Sequence, residues 1–288
     1  MKRFLAFALL VSASVAAPRA HAAPSVSIIP TKSGPIRITA KFHASTQIEY
    51  RGKVIVVDPV MAASWTKKAD VILITHPHGD HLDLPAIAKL KKTDTHIYSP
   101  EEASETIETI KGIDVWPMSP GETQAETLTA EAPPNLDSED EEAAFRLYKS
   151  EVPFRLLAVP MYNLVREREP GKKYHPREAN WNGYVLTLGG KRLYFAGDTE
   201  ATPEMKALKN IDAAFLPMNL PYTMTPQEAA AAAKVFKPRR VYPYHYRFPF
   251  DKDSGNERTF ARLLRGTKTK VVLLNWYPRA AVQKMMKK

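Results

Sequence analysis

Directly after the apolar stretch Val71 to Thr75, the chain places three histidines and an aspartate in six positions: His76, His78, Asp80 and His81. Neutral imidazole and carboxylate are the donors that Zn(II) and its harder neighbours take, and a loop leaving a strand end can turn several of them toward one point. Gly79 permits the tight path this requires. Packed together without a cation, four such groups would be left short of partners. A metal centre is therefore expected, and because the chain has no cysteine it must be held by nitrogen and oxygen. The same absence excludes disulfide scaffolds, thiolate zinc fingers, iron-sulfur clusters and cysteine nucleophiles.

Around this segment the pattern is strand followed by helix. Gln47 to Tyr50, the turn Arg51-Gly52 and Lys53 to Val57 read as a hairpin ending at Asp58-Pro59. After His81, Asp83 is a plausible N-cap, with Pro85 in the first turn and Ala86, Ile87 and Leu90 at helical spacing. Further strands are expected near Phe154 to Val159, Tyr184 to Thr187, Arg192 to Ala196, Ala213 to Pro217, Val241 to Tyr246 and Val271 to Trp276. Thr225-Pro226-Gln227-Glu228 is a capping box with Pro at N1, opening a helix. Two strand ends carry further candidate ligands: Asp198 follows Leu193 to Ala196, and His245 follows Val241 to Tyr244. Side chains at the carboxyl ends of neighbouring strands converge on one edge of a sheet.

With 288 residues and 44% hydrophobic content, the chain is long enough for one large domain. Lys2 and Arg3, the apolar run Phe4 to Val15 and Ala20-His21-Ala22 read as a signal peptide over 1–22, leaving a single domain over 23–288. The run is too short to span a membrane, and export to a bacterial periplasm is expected. Without Lys2, Arg3 and Arg19 the formal charge falls from +10 to +7. Residues 122–151 hold nine acids and two bases, which leaves +14 on the remainder. This acidic stretch reads as a solvated insertion, with a lid over the site as the alternative. Between Arg166 and Glu178, five cations face three glutamates. They form either a clamp for an anionic group or a solvated loop.

The residues His76, His78, Asp80 and His81 spell HxHxDH, and the chain resembles the metallo-β-lactamase-fold hydrolases. It is similar to the branch of L-ascorbate-6-phosphate lactonases and N-acylphosphatidylethanolamine-type phospholipases D. Phe42-His43-Ala44-Ser45, Asp58-Pro59, Ala196-Gly197-Asp198-Thr199, Leu216-Pro217, Tyr222-Thr223-Met224 and Pro243-Tyr244-His245-Tyr246 extend the match. The resemblance implies an α/β fold, a four-layer αβ/βα sandwich of two similar halves. It also implies His76 and His78 on a first metal, Asp80, His81 and His245 on a second, and Asp198 bridging both. Where the family commonly has a third histidine on the first metal, this chain has Asn163, a weaker ligand, with His175 in the polar loop that follows as the alternative. His43 reads as a supporting residue behind the ligands rather than a ligand.

The expected function is thus an exported metal-dependent hydrolase in which a metal-bound hydroxide attacks a small anionic ester, lactone or phosphodiester. Asp80 and Asp198 would orient the attacking group, with Asp80 carrying the proton to the leaving group. Two Zn(II) ions are favoured, with Mn(II) or Fe(II) as alternatives. Nucleic acid is not an expected partner, because no stacking motif accompanies the basic residues. A phospholipid hydrolase working at a membrane surface and a metal-retaining binding protein without turnover are the alternatives.

Overall fold

The computed structural model describes residues 25–129, 151–247 and 254–286. The signal-like segment 1–22 and most of the acidic stretch lie outside them. Two seven-stranded sheets dominate the fold. The first runs in chain order: β1 (Val26–Ile29), β2 (Ile36–Phe42), β3 (Ser45–Tyr50), β4 (Lys53–Val57), β5 (Val71–Leu73), β6 (His96–Ser99) and β7 (Val115–Pro117). Its first four strands are antiparallel neighbours, and β4 to β7 are parallel.

The second sheet repeats this scheme. β8 (Thr123–Leu128), β9 (Val152–Pro160), β12 (Asn182–Leu188) and β13 (Lys191–Phe195) pair antiparallel. β13, β14 (Ala213–Pro217), β15 (Arg240–Tyr244) and β16 (Lys270–Val271) then pair in parallel. A small hairpin of β10 (Glu167–Glu169) and β11 (Lys172–Lys173) stands apart.

Alternation of side chains explains the layering. β4 is buried on both faces. Ile55 and Val57 join the cluster between the sheets, where they meet Leu156, Leu186 and Phe215. Val54 and Val56 join the outer cluster of Ala86, Ile87 and Leu90 from helix Leu84–Leu90, and Ala103 and Ile107 from helix Glu101–Ile107. On the other side, helix Pro226–Phe236 buries Ala229, Ala230, Ala232, Ala233 and Phe236. The result is the expected αβ/βα sandwich. Both predicted helix starts are present: Asp83 accepts from Ala86 N, and Thr225 and Glu228 form the reciprocal box.

Two expectations need correction. The stretch 122–151 is not an insertion from its first residue, because Thr123–Leu128 pairs along its length with β9 as the edge of the second sheet. An edge strand tolerates polar residues on its solvent face, so Thr123, Ala125 and Thr127 are exposed while Leu128 is buried. Val271 to Trp276 is not one strand either. The strand ends at Val271, with one more backbone bond from Val272 N to Val241 O at 2.9 Å, and further along Trp276 O accepts from His43 N at 3.3 Å.

Candidate metal centre

The site is assembled where the parallel strands of both sheets end. Three of its residues take left-handed backbone immediately after a strand: His43 after β2 (φ 57°), Asp58 after β4 (φ 46°) and His245 after β15 (φ 48°). Strained non-glycine conformations of this kind persist where surrounding structure fixes them, and they concentrate at functional sites. Gly197, at φ 65°, turns the chain after β13 to present Asp198. A Cβ there would lie 2.3 Å from Met161 Sδ, so only glycine fits.

After β5 the chain curls back on itself, with His81 N and Leu82 N both donating to His78 O at 2.9 Å. Asp58 is the anchor of this curl. Its carboxylate accepts from Thr75 N, Thr75 Oγ1 and His81 Nδ1, each at 2.8 Å. Because the Nδ1 proton of His81 is committed to Asp58, Nε2 is aimed into the site.

Ligand atoms converge in three groups: His76, His78 and His175; His76, His81 and Asp198; and His43, Asp80 and His245. Within each group the atoms lie within 4.8 Å of one another. Asp198 sits centrally, with Oδ1 3.4 Å from His81 Nε2 and 3.2 Å from His245 Nε2, and Oδ2 3.7 Å from His175 Nε2. Asp80 Oδ2 lies 3.4 Å from His245 Nε2. His245 Nε2 and His81 Nε2 are only 3.1 Å apart, a spacing that a shared proton or a cation must satisfy. His76 Nε2 and Asp198 Oδ1 are buried and have no partner of hydrogen-bond geometry among the described residues. Buried imidazole and carboxylate atoms left in this way fit a metal site, since native interiors pair their polar groups.

Electrostatics follow from this crowding. Burial, reinforced by His81, holds His76 well below the ordinary histidine range, and burial pushes His175 down to about 4. Both are therefore neutral and ready to donate a lone pair. His81 is shifted the other way. Burial opposes its charge, but Asp198, Asp80 and Asp58 outweigh burial and hold it well above the usual range. Burial alone would raise Asp198, yet His245 and His81 keep it well below the usual carboxylate range.

All six residues expected as ligands, His76, His78, Asp80, His81, Asp198 and His245, are thus brought together. Of the two candidates for the remaining position, His175 enters the imidazole cluster and Asn163 stands behind it. Asn163 Oδ1 accepts from His175 N at 2.8 Å and from His175 Nδ1 at 3.0 Å, so its oxygen is already used. The amide nitrogen of Asn163 donates to Tyr222 O at 2.8 Å.

Glu200, which sequence reasoning passed over, fastens the same loop. Its buried carboxylate accepts from Leu164 N, Val165 N and Arg166 N at 3.1, 3.0 and 2.7 Å. Its position two residues after Asp198 was the available signal. Tyr277 was missed as well. Its hydroxyl accepts from Tyr246 N and Arg247 N at 3.1 and 3.2 Å and donates to His43 Nδ1 at 2.8 Å. That leaves His43 Nε2–H to donate to Asp80 Oδ2 at 3.1 Å. Four of the five cations of the 166–178 loop are engaged with carboxylates: Arg166 with Glu200 and Glu228, Lys172 with Glu169, Lys173 with Glu167 and Arg177 with Glu204.

Comparison with known proteins shows the family to which the chain belongs. A family model described as the beta-lactamase superfamily domain matches residues 51–246. A UPF0173 metal-dependent hydrolase of Bacillus velezensis is 31% identical over 249 residues, covering 82% of this chain and 96% of its own. A second, from Pyrococcus furiosus, is 29% identical over 253 residues, covering 83% and 96%. Among solved structures, one from Parabacteroides distasonis is 37% identical with a TM-score of 0.67, covering 86% of this chain and 97% of that one. Igni18, a metallo hydrolase from Ignicoccus hospitalis, is 22% identical with a TM-score of 0.59 over 83% and 94%, a likeness of fold alone.

Proposed function

The chain belongs to the beta-lactamase superfamily and is a metal-dependent hydrolase, and we propose that its site takes two cations and opens small anionic esters, lactones or phosphodiesters. The observation that carries this reading is the convergence of three ligand groups on shared residues, with His76 Nε2 and Asp198 Oδ1 buried and unsatisfied. His76, His78 and His175 would hold one ion, Asp80, His81 and His245 the other, and Asp198 would face both. A donor set of imidazoles and carboxylates without sulfur favours Zn(II), with Mn(II) or Fe(II) as alternatives.

When bound, such ions supply Lewis acidity, activating water and polarising the bond to be cleaved. The protein's own residues supply orientation. Asp58 and Asn163 fix the tautomers of His81 and His175, so that each presents Nε2 to the centre. His43, neutral because burial pushes it down to about 4, holds Asp80 through Oδ2. Asp80, which lines the cavity, would then be the residue that takes a proton and passes it to the leaving group. Since the described lining of the cavity contains no lysine or arginine, the negative charge of the substrate would be met by the metal centre rather than by a guanidinium clamp.

Export to the periplasm is part of the proposal and is supported by the leader-like composition of residues 1–22. A phospholipid presented at a membrane surface is the second reading. It is favoured by exposed Leu164 (41%), Val165 (66%) and Leu220 (48%), which flank the site residues Asn163, Asn219 and Tyr222.

Turnover of p-nitrophenyl esters, a lactone panel and bis-p-nitrophenyl phosphate should be measured on metal-stripped and reloaded protein. Metal-restored hydrolysis of at least one class is expected, and silence on all of them after reloading contradicts the substrate reading. Co-sedimentation with anionic liposomes at low salt, lost at high salt, would favour the phospholipid reading.

A further inference from the structure

Asn219 stands two residues past the end of β14, one residue beyond Met218, which is level with His245 at the end of the neighbouring strand. Its backbone is fixed on every side. The amide N–H donates to Thr223 Oγ1 at 2.8 Å, and the carbonyl accepts from Tyr222 N and Thr223 N, both at 2.9 Å. Met218 N donates to His245 O at 3.2 Å, and Met218 O accepts from Asn256 Nδ2 at 3.1 Å. Only 4% exposed, the residue lines a cavity of about 450 Å³ together with His78, Asp80, His175, Asp198 and His245. Its side-chain amide makes no hydrogen bond among the described residues.

A primary amide offers two donors and an acceptor with two lone pairs, and one that lines a cavity without a protein partner has them open to a ligand. Its surroundings narrow what could satisfy it. The described lining contains no lysine or arginine, and it contributes Phe42, Val60, Tyr174 and Tyr222 as apolar and aromatic wall. Tyr174 and Tyr222 pack edge to face at 4.9 Å. Such a wall suits an uncharged group, and the amide suits an uncharged oxygen.

We propose that Asn219 is a substrate-binding residue whose amide hydrogen-bonds an uncharged oxygen, an ester or lactone carbonyl or a hydroxyl, beside the metal centre. The portion of the substrate lying on the Tyr174 and Tyr222 wall is then neutral, and any negative charge lies toward the metals. This rests on the hydrolase reading above and adds the group that discriminates among its substrates. A site built to hydrogen-bond a polar group rejects analogues that lack it, because the site's own group is then left unpaired.

The test uses full-length, metal-loaded protein as wild type, Asn219→Ala and Asn219→Ser. Three quantities are read: metal content, KM and kcat for δ-valerolactone, and calorimetric affinity for δ-valerolactam, an unreactive analogue with the same carbonyl. Unchanged metal content is expected in both variants. The alanine variant should show KM raised and lactam binding weakened by about tenfold, equivalent to about 1.4 kcal/mol, and serine should recover part of the loss.

Lactam affinity in Asn219→Ala equal to wild type, absent lactam binding in wild type, or loss of metal from the alanine variant would each overturn the proposal. Wild type that binds the lactam in an Asn219-dependent way but hydrolyses no substrate upholds this assignment while sinking the hydrolase substrate reading. Wild type that hydrolyses lactones while Asn219→Ala matches it in KM and lactam affinity sinks only this assignment.

Discussion

Asn163 and His175 are bound to each other through three hydrogen bonds, His175 N and Nδ1 donating to Asn163 Oδ1 and Asn163 N donating in turn to His175 O at 2.8 Å. Their roles differ accordingly. His175→Ala is expected to remove about one metal equivalent per chain. Asn163→Ala should keep both equivalents and weaken one by about tenfold to a hundredfold, the usual effect of losing a residue that orients a ligand. Competition with a chromophoric chelator checks both, and equal metal affinity in all three proteins would refute the arrangement. His81 sets a pH dependence. Its pKa is raised by Asp198, Asp80 and Asp58 against the effect of burial, so in the metal-free protein it keeps its proton at neutral pH. A cation must displace that proton, and metal affinity should therefore rise with pH from 6 to 8 with release of a proton. Calorimetry in buffers of different ionisation heat measures the release, and a pH-independent affinity would contradict it. The four HxHxDH residues were legible in the sequence because they are contiguous and their chemistry is unusual. The choice between Asn163 and His175 was not, because it depends on a contact across 12 residues, and the Tyr277 to His43 link spans 234.

At the scale of elements, the strand ends do the positioning, and local sequence shows where it is rigid. Gly197→Ala would drive a Cβ into Met161 while holding φ at 65°. A loss of about 1–3 kcal/mol from backbone strain is expected, together with lost metal, since Asp198 is the next residue. Thermal unfolding with metal analysis checks this, and an alanine variant with native Tm and metal content would contradict it. The capping box of helix Pro226–Phe236 was readable from four residues, yet its wider contact was not: Glu228 also takes Arg166 at 2.6 Å, tying the helix to the loop that bears Asn163. β8 was hidden by its composition, since acids and threonines read as solvated chain until their pairing with β9 is seen. Leu128, 5% exposed in the main core, distinguishes the two readings. Leu128→Ala should destabilise by about 2–4 kcal/mol if the strand is part of the fold. A solvated insertion would lose less than about 0.5 kcal/mol, and denaturant unfolding decides between them.

Viewed as a whole, the molecule sets two sheets of like topology face to face and draws its site from both. His43, His76, His78, Asp80 and His81 come from the first half, and His175, Asp198 and His245 from the second. The ions would therefore join the halves as well as supply chemistry, and stripping them should lower Tm as well as abolish turnover. The doubled scheme of strands and helices was legible in the hydrophobic pattern. The meeting of the halves was not, because no local pattern records which strand ends face each other across 164 residues, as His81 and His245 do. The most direct measurement is a stoichiometric titration of metal-stripped protein with Zn(II), counting bound metal by elemental analysis while following ester, lactone or phosphodiester hydrolysis in the same samples. Two equivalents per chain are expected, with turnover rising as the second binds. Saturation at one equivalent or none, or full metal loading without hydrolysis of any of the three, would contradict a paired metal centre built for hydrolysis.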